Sequence, residues 1–204
     1  MSHPATKRAK DHLHLILASS SDGRKMLLSR LIDTFETVAA DLVEDAETAA
    51  SPAALAERLA AMKAEAVLSA TQSLGHRIII GADQVATTGA DIIGKPGNAE
   101  ANCSQLAALS SKRVTFHSAV HLIDSRSARV IAFRDETLVR FRTLSETEIE
   151  RYVAADQPWH CAGGFKVESR GIALFEAVES KDPTGLIGLP LIRTAEALRQ
   201  FGVL

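Results

Sequence analysis

Asp83 follows the apolar run Ile78-Ile79-Ile80-Gly81-Ala82, where a carboxylate has an immediate chemical use. Open α/β sheets hold their ligands just beyond strand ends. A carboxylate placed there can bind a hard cation such as Mg²⁺ and take a proton from water. An equally open reading is an Asp that ends the strand by bonding a turn amide. The segment Ser19-Ser20-Ser21-Asp22-Gly23-Arg24 raises the same choice. A strand end, hydroxyls and the amides of a helix start can form a phosphate site, with Ser19 and Ser21 as donors. Arg24 adds a charged fork. Alternatively one serine caps the helix and the others fill a turn.

Other segments separate by their chemistry. Gly89 to Lys95 fits the spacing G-x-x-x-x-G-K, but Pro96 stands where a hydroxyl would bind Mg²⁺, so a P-loop is rejected. Lys95, between Gly94 and Pro96, is kept as a phosphate-binding lysine in a turn. No G-x-G-x-x-G occurs, which leaves a nicotinamide dehydrogenase unsupported. Lys166 and Glu168 follow the Gly163-Gly164 turn in a presumed strand, Phe165–Glu168, and so share one face. That face either lines a cleft or is simply solvated. His12 with His14, and His117 with His121, share strand faces but lack the Cys or acidic partners of a metal cluster. Trp159 reads as a packing residue.

The elements that position these residues follow from pattern. The chain has 204 residues, 46% of them hydrophobic, enough for a full core in one domain or two joined lobes. A net charge of -2 gives no general surface for nucleic acid or membrane. No apolar run reaches the eighteen or so residues of a spanning helix, and no signal peptide is visible. Cys103 and Cys161 are unclustered and read as free thiols of a reducing compartment. His12–Ala18 is a strand, followed by a helix with Leu27, Leu28, Leu31, Ile32 and Phe35 on one face. Ser51-Pro52 starts a second helix carrying Leu55, Leu59, Met62 and Ala66. Arg77–Ala82 is a buried strand. Val114–Ile123 and Arg129–Arg142 are antiparallel strands around the turn Asp124–Ala128. Ser145 and Glu148 form a capping box before a further helix, and a last helix runs from near Pro190 to Gly202. The fold class is α/β with a central mixed sheet; residues 1–12 read as a loose tail and 13–204 as the domain.

Taken in order, these pieces resemble the Maf family of nucleoside triphosphate pyrophosphatases. The likeness runs from about Leu13 to Leu204. It is carried by L-A-S-x-S-x-x-R (Leu17 to Arg24), Glu44, R-L-A-x-x-K-A (Arg58 to Ala64), G-A-D-Q-V (Gly81 to Val85), G-K-P (Gly94 to Pro96), C-A-G-G-F-K-V-E (Cys161 to Glu168) and G-L-P (Gly188 to Pro190).

The resemblance implies an elongated two-lobed fold, like that of inosine triphosphatases, with a nucleotide cleft between the lobes. It implies hydrolysis of the α–β phosphate bond with Mg²⁺ or Mn²⁺. Asp83 matches the catalytic proton acceptor, and Glu44 with Asp83 the metal-binding carboxylates. Ser19, Ser21, Arg24, Lys63 and Lys95 match positions lining the phosphate site. A homodimer in the cytoplasm, with a nucleoside triphosphate as its partner, is implied as well. Three positions bear on specificity: Gly23, Gln84 and Glu168. The D-Q-V and F-K-x-E forms look like the branch acting on 7-methyl-GTP. Guanine offers N1–H and N2–H₂ side by side, which a carboxylate accepts together, and 7-methylation adds positive charge that Glu168 favours. Gly23 departs from that branch, which carries a bulky aromatic there. The alternatives are a dTTP/UTP or broad-range pyrophosphatase, or a non-catalytic nucleotide-binding regulator of cell division.

Overall fold

The isoleucine run at 78–80 forms the centre of a mixed sheet. In the computed structural model residues 12–40, 42, 49–89 and 91–204 are described. The expected tail at 1–12 lies outside them up to residue 11. The elements in chain order are β1 (His14–Ala18), α1 (Asp22–Leu28), β2 (Glu36–Thr37), α2 (Pro52–Ala70), β3 (Arg77–Thr88), β4 (Asp91–Ile93), α3 (Ala99–Leu109), β5 (Arg113–Asp124), β6 (Val130–Phe141), α4 (Glu146–Asp156), β7 (Phe175–Ser180) and α5 (Leu191–Gln200). The seven strands lie in the order β2-β1-β3-β5-β6-β7, with β4 added to β3 beyond the end of β1. Pairing is parallel for β1 with β2 and β3, and antiparallel elsewhere.

Strand alternation separates two faces. On one, α2 packs through Ala56, Leu59, Ala60, Ala64 and Val67 against Ile79, Val85 and Ala119. Ser51 caps α2 by accepting from the Ala54 amide at 3.1 Å, with Pro52 at the first turn, as the sequence predicts.

The other face carries two separate cores. Ile78, Ile80, Ala82, Val120, Leu122 and Phe133 pack with α1 and α5. Ala86, Val114, Phe116, Val139 and Phe141 pack with α3 and α4, and Phe116, Phe141, Phe165 and Phe175 meet edge to face. Trp159 packs against this second core. Between the cores the same face turns polar on three neighbouring strands, where Gln84, Ser118 and Asp135 stand in register. A polar seam therefore separates two apolar cores on this face.

Four local expectations are corrected. The strand predicted to end at Ala82 continues to Thr88, because β5 pairs with it from Ile78 to Thr87 and Val85 and Thr87 suit a strand. Asp83 therefore lies within a strand. The first helix stops at Leu28, where the Ser29 hydroxyl bonds the Met26 carbonyl; Leu31, Ile32 and Phe35 reach the core from irregular chain. Phe165–Glu168 is not a strand. Gly163 and Gly164, at φ +76° and +73°, turn the chain sharply, and the following residues form a further turn. Ser145 caps α4 through the Glu148 amide, while the Glu148 carboxylate turns to Arg142 and leaves the capping box half made. No helix among the described residues is long and apolar enough to cross a membrane.

Candidate active site

The site begins with a close approach of helix to strand. A Cβ on Gly81 would lie 2.1 Å from the Ala60 carbonyl oxygen and 2.7 Å from the Ala64 nitrogen. The bare glycine lets α2 settle onto β3 with no side chain between. Lys63, next to Ala64 on that helix, then reaches Asp83, two residues along β3 on the same face. Its ammonium donates to Asp83 Oδ1 at 2.5 Å. Both side chains are largely withdrawn from solvent, 14% and 10% exposed. Desolvation strengthens the attraction and makes loss of either partner costly.

Asp83 also occupies a break in the sheet. On the β3 edge opposite β5, β1 pairs up to Gly81 and β4 starts at Ala86, so no strand among the described residues flanks Ala82–Val85. Ser19, buried just after β1, sits at this break. Its hydroxyl accepts from the Ser21 amide at 3.2 Å and from Arg24 Nη1 at 3.3 Å. Ser21 is the N-cap of α1 and accepts from the Arg24 amide at 3.4 Å. The capping reading of the serine turn is met by Ser21, while Ser19 bonds the guanidinium.

Arg24 is anchored a second time. Its Nε donates to the Gly188 carbonyl at 3.0 Å. Gly188 has φ +119°, and a Cβ there would crowd Arg24 Nε at 3.3 Å, so both conformation and space call for glycine. Gly23 lies alongside: its Cβ position is 3.3 Å from Ile187 Cγ2. Gln84, next to Asp83, points to the opposite face. Its amide donates to Ser118 Oγ at 2.9 Å and to the carbonyls of Gly185 and Leu186 at 3.0 and 3.1 Å.

Lys95 and Glu168 stand apart from this cluster, around Cys161. Burial pushes the Cys161 thiol up; Lys166 and Lys95 oppose the shift and Glu168 adds to it. Lys95 is exposed on the loop after β4, which is tied down by Gln105 Nε2 donating to the Gly94 carbonyl at 3.3 Å and by the Gly97 amide donating to the Trp159 carbonyl at 2.8 Å. Glu168 is exposed too. Lys166 does not share its face as expected, since its ammonium turns to the Asp156 carbonyl at 3.0 Å. Glu44 lies outside the described residues.

Among the described residues no three His, Cys, Asp or Glu side chains converge as a ready metal cage. A single carboxylate beside a phosphate site is nevertheless how Mg²⁺ is commonly held, with substrate oxygens and water supplying the rest. Asp83 fits that part.

Sequence reasoning missed the polar support behind the seam. Asp182 Oδ1 accepts from the Thr184 amide and hydroxyl at 2.9 and 2.6 Å, and its Oδ2 from the Ile192 amide at 2.7 Å. The Thr184 hydroxyl accepts from the Leu191 amide at 2.8 Å. Together they satisfy the first amides of α5, which Pro190 cannot cap. The available signal was an Asp-x-Thr shortly before Pro190. Burial pushes the Asp135 carboxyl up, with the nearby Asp182 adding to it.

A family model described as Maf-like protein matches residues 14–201. The chain is 46% identical over 185 residues to a 7-methyl-GTP pyrophosphatase of Burkholderia lata, covering 91% of this chain and 88% of that protein. It is 46% identical over 188 residues to a 7-methyl-GTP pyrophosphatase of Xanthomonas oryzae pv. oryzae, covering 92% and 96%. Among solved structures it is similar to the Ham1 protein of Staphylococcus aureus, with TM-score 0.44, 14% identity, and 63% of this chain and 71% of that one covered.

Proposed function

The chain belongs to the Maf family, and from that premise we propose that it hydrolyses the α–β phosphate bond of 7-methyl-GTP. The products are the 7-methylated monophosphate and pyrophosphate. The observation that carries the chemistry is the Lys63–Asp83 pair in the break of the sheet edge. The relatives at 46% identity, both 7-methyl-GTP pyrophosphatases, support the substrate.

In this mechanism water attacks the α-phosphorus and Asp83 takes its proton. The bond from the α-phosphorus to the bridging oxygen breaks, and the electron pair leaves with pyrophosphate. Lys63 holds the Asp83 carboxylate in place beside the phosphates. Arg24, fixed by Ser19 and Gly188, offers its fork to the triphosphate, and Lys95 supplies a further positive charge to it. Ser21 orders the turn that carries Arg24. A divalent cation, Mg²⁺ or Mn²⁺, would be held by Asp83 and Glu44 and supply charge neutralisation on the phosphates. Glu168 accepts the paired donors of the guanine edge. The work is house-cleaning of non-standard nucleotides in the cytoplasm, by a homodimer whose domain spans residues 13–204.

Replacing Asp83 by Asn tests this reading. Turnover of 7-methyl-GTP should fall by roughly 10³-fold, within the range a general base contributes, while nucleotide binding by calorimetry persists. Substantial turnover in that variant would remove Asp83 from its role.

A further inference from the structure

Gln84 is adjacent to Asp83, yet alternation along β3 sends its side chain through to the opposite face, into the polar seam between the two apolar cores. A primary amide has two donor hydrogens. Those of Gln84 are shared among Ser118 Oγ and the carbonyls of Gly185 and Leu186, at 2.9, 3.0 and 3.1 Å. Ser118, itself buried, donates to the same Gly185 carbonyl at 2.7 Å. That carbonyl is thus held from two neighbouring strands, and also accepts the Gly188 amide at 3.0 Å, closing the turn. At the end of the turn the Gly188 carbonyl accepts Arg24 Nε, and Arg24 Nη1 bonds Ser19. A continuous path of hydrogen bonds therefore joins Gln84 to the guanidinium.

We infer that Gln84, together with Ser118, is a positioning residue that acts on the triphosphate through the Gly185–Gly188 turn and Arg24, rather than on the nucleobase. The inference rests on the proposed pyrophosphatase reading, in which Arg24 meets the phosphates. It assigns Gln84 a different task from the specificity expected at its position. A donor is needed at Gln84 because carbonyls face it. A side chain without N–H takes a donor from the Leu186 carbonyl and one of three from the Gly185 carbonyl, which keeps Ser118 and the Gly188 amide, and so lets the turn shift. The base is irrelevant to that effect, and every nucleotide should feel it equally.

The test compares Gln84→Met and Ser118→Ala with the unaltered protein on 7-methyl-GTP, GTP and UTP. Inorganic pyrophosphate serves as a competitive probe of the phosphate site. Gln84→Met should lower kcat/KM about tenfold for all three nucleotides, the equivalent of one good hydrogen bond. Inhibition by pyrophosphate should weaken in step, which a mere loss of folded protein would not produce. In the double variant with Arg24→Lys, the second change should cost less than about twofold, since both act through one group. Ser118→Ala should show the same signature, smaller, and carries the test if Gln84→Met does not fold. A changed ratio of 7-methyl-GTP to UTP, an unchanged pyrophosphate affinity, or additive losses with Arg24→Lys would overturn the inference. Absence of turnover in the unaltered protein would instead defeat the function reading, and this inference with it.

Discussion

The proposed phosphate end and the proposed base end of the site are built in opposite ways. Lys63 and Asp83 come from a long helix and a central strand, are largely buried, and meet at 2.5 Å. Glu168 is exposed on a turn and is not part of a regular element. Reaction chemistry requires groups held to within a fraction of an ångström, and packed regular elements provide that. Base recognition tolerates looser segments, whose sequence can change without disturbing the core. The polar seam lies between these two styles, carrying support from the sheet to Arg24.

If the phosphate end depends on rigid packing, its largest failure should follow loss of the buried pair. Lys63→Met should reduce turnover by about 10³-fold, and stability by about 3 kcal/mol, because Asp83 is left buried without its partner. Steady-state kinetics and denaturant unfolding check both. Gly81→Ala is next. Its Cβ meets helix backbone at 2.1 Å, so α2 must lift from β3, with a cost of about 3 kcal/mol expected for overpacking against backbone. Unfolding midpoints would show it; a variant as stable as the parent would mean the helix does not need that approach.

The base end should respond in selectivity and leave the fold untouched. Glu168→Gln should cut the preference for 7-methyl-GTP over UTP by about 10- to 30-fold, since an amide cannot accept both guanine donors. The unfolding midpoint should stay within about 0.5 kcal/mol of the parent's stability. The smallest effect lies far from both ends. Burial disfavours the Asp124 carboxylate, but the Ser127 hydroxyl, the Arg126 amide and His76 outweigh that and hold its pKa at about 2. An unfolded Asp titrates near about 3.9. The stability it contributes is therefore whole above about pH 4 and is lost as pH falls toward 2. Thermal unfolding across that window should show a shallower slope for Asp124→Asn.

The contrast also explains what the sequence made legible. The buried strands, the Ser51-Pro52 helix start and the β5–β6 hairpin follow from periodicity and capping chemistry. Asp83 and Lys63 are 20 residues apart, and periodicity did not join them; the order of motifs did. Local pattern misplaced Asp83 at a strand end because the pairing with β5 that prolongs β3 is a long-range interaction. It made a strand of Phe165–Glu168 because the second turn, in which the Lys166 carbonyl accepts the Ser169 and Gly171 amides, is invisible in an apolar–polar alternation. The seam was out of reach for the same reason: Gln84 and Gly185 meet across 101 residues, with neither residue type announcing the contact. Glu168 was singled out on a strand face that the structure does not form; its specificity role came from the resemblance, and its exposure leaves no packing signal for it.

The central claim is that this fold directs water to the α-phosphorus of a methylated guanine nucleotide. Product analysis of the unaltered protein with 7-methyl-GTP, GTP, UTP, dTTP and CTP, in Mg²⁺ or Mn²⁺, tests it most directly. The account predicts pyrophosphate with the monophosphate, fastest from 7-methyl-GTP. Release of orthophosphate, or of nothing from any of the five by folded protein, would contradict it; preference for UTP or dTTP would retain the chemistry and refute the base assignment.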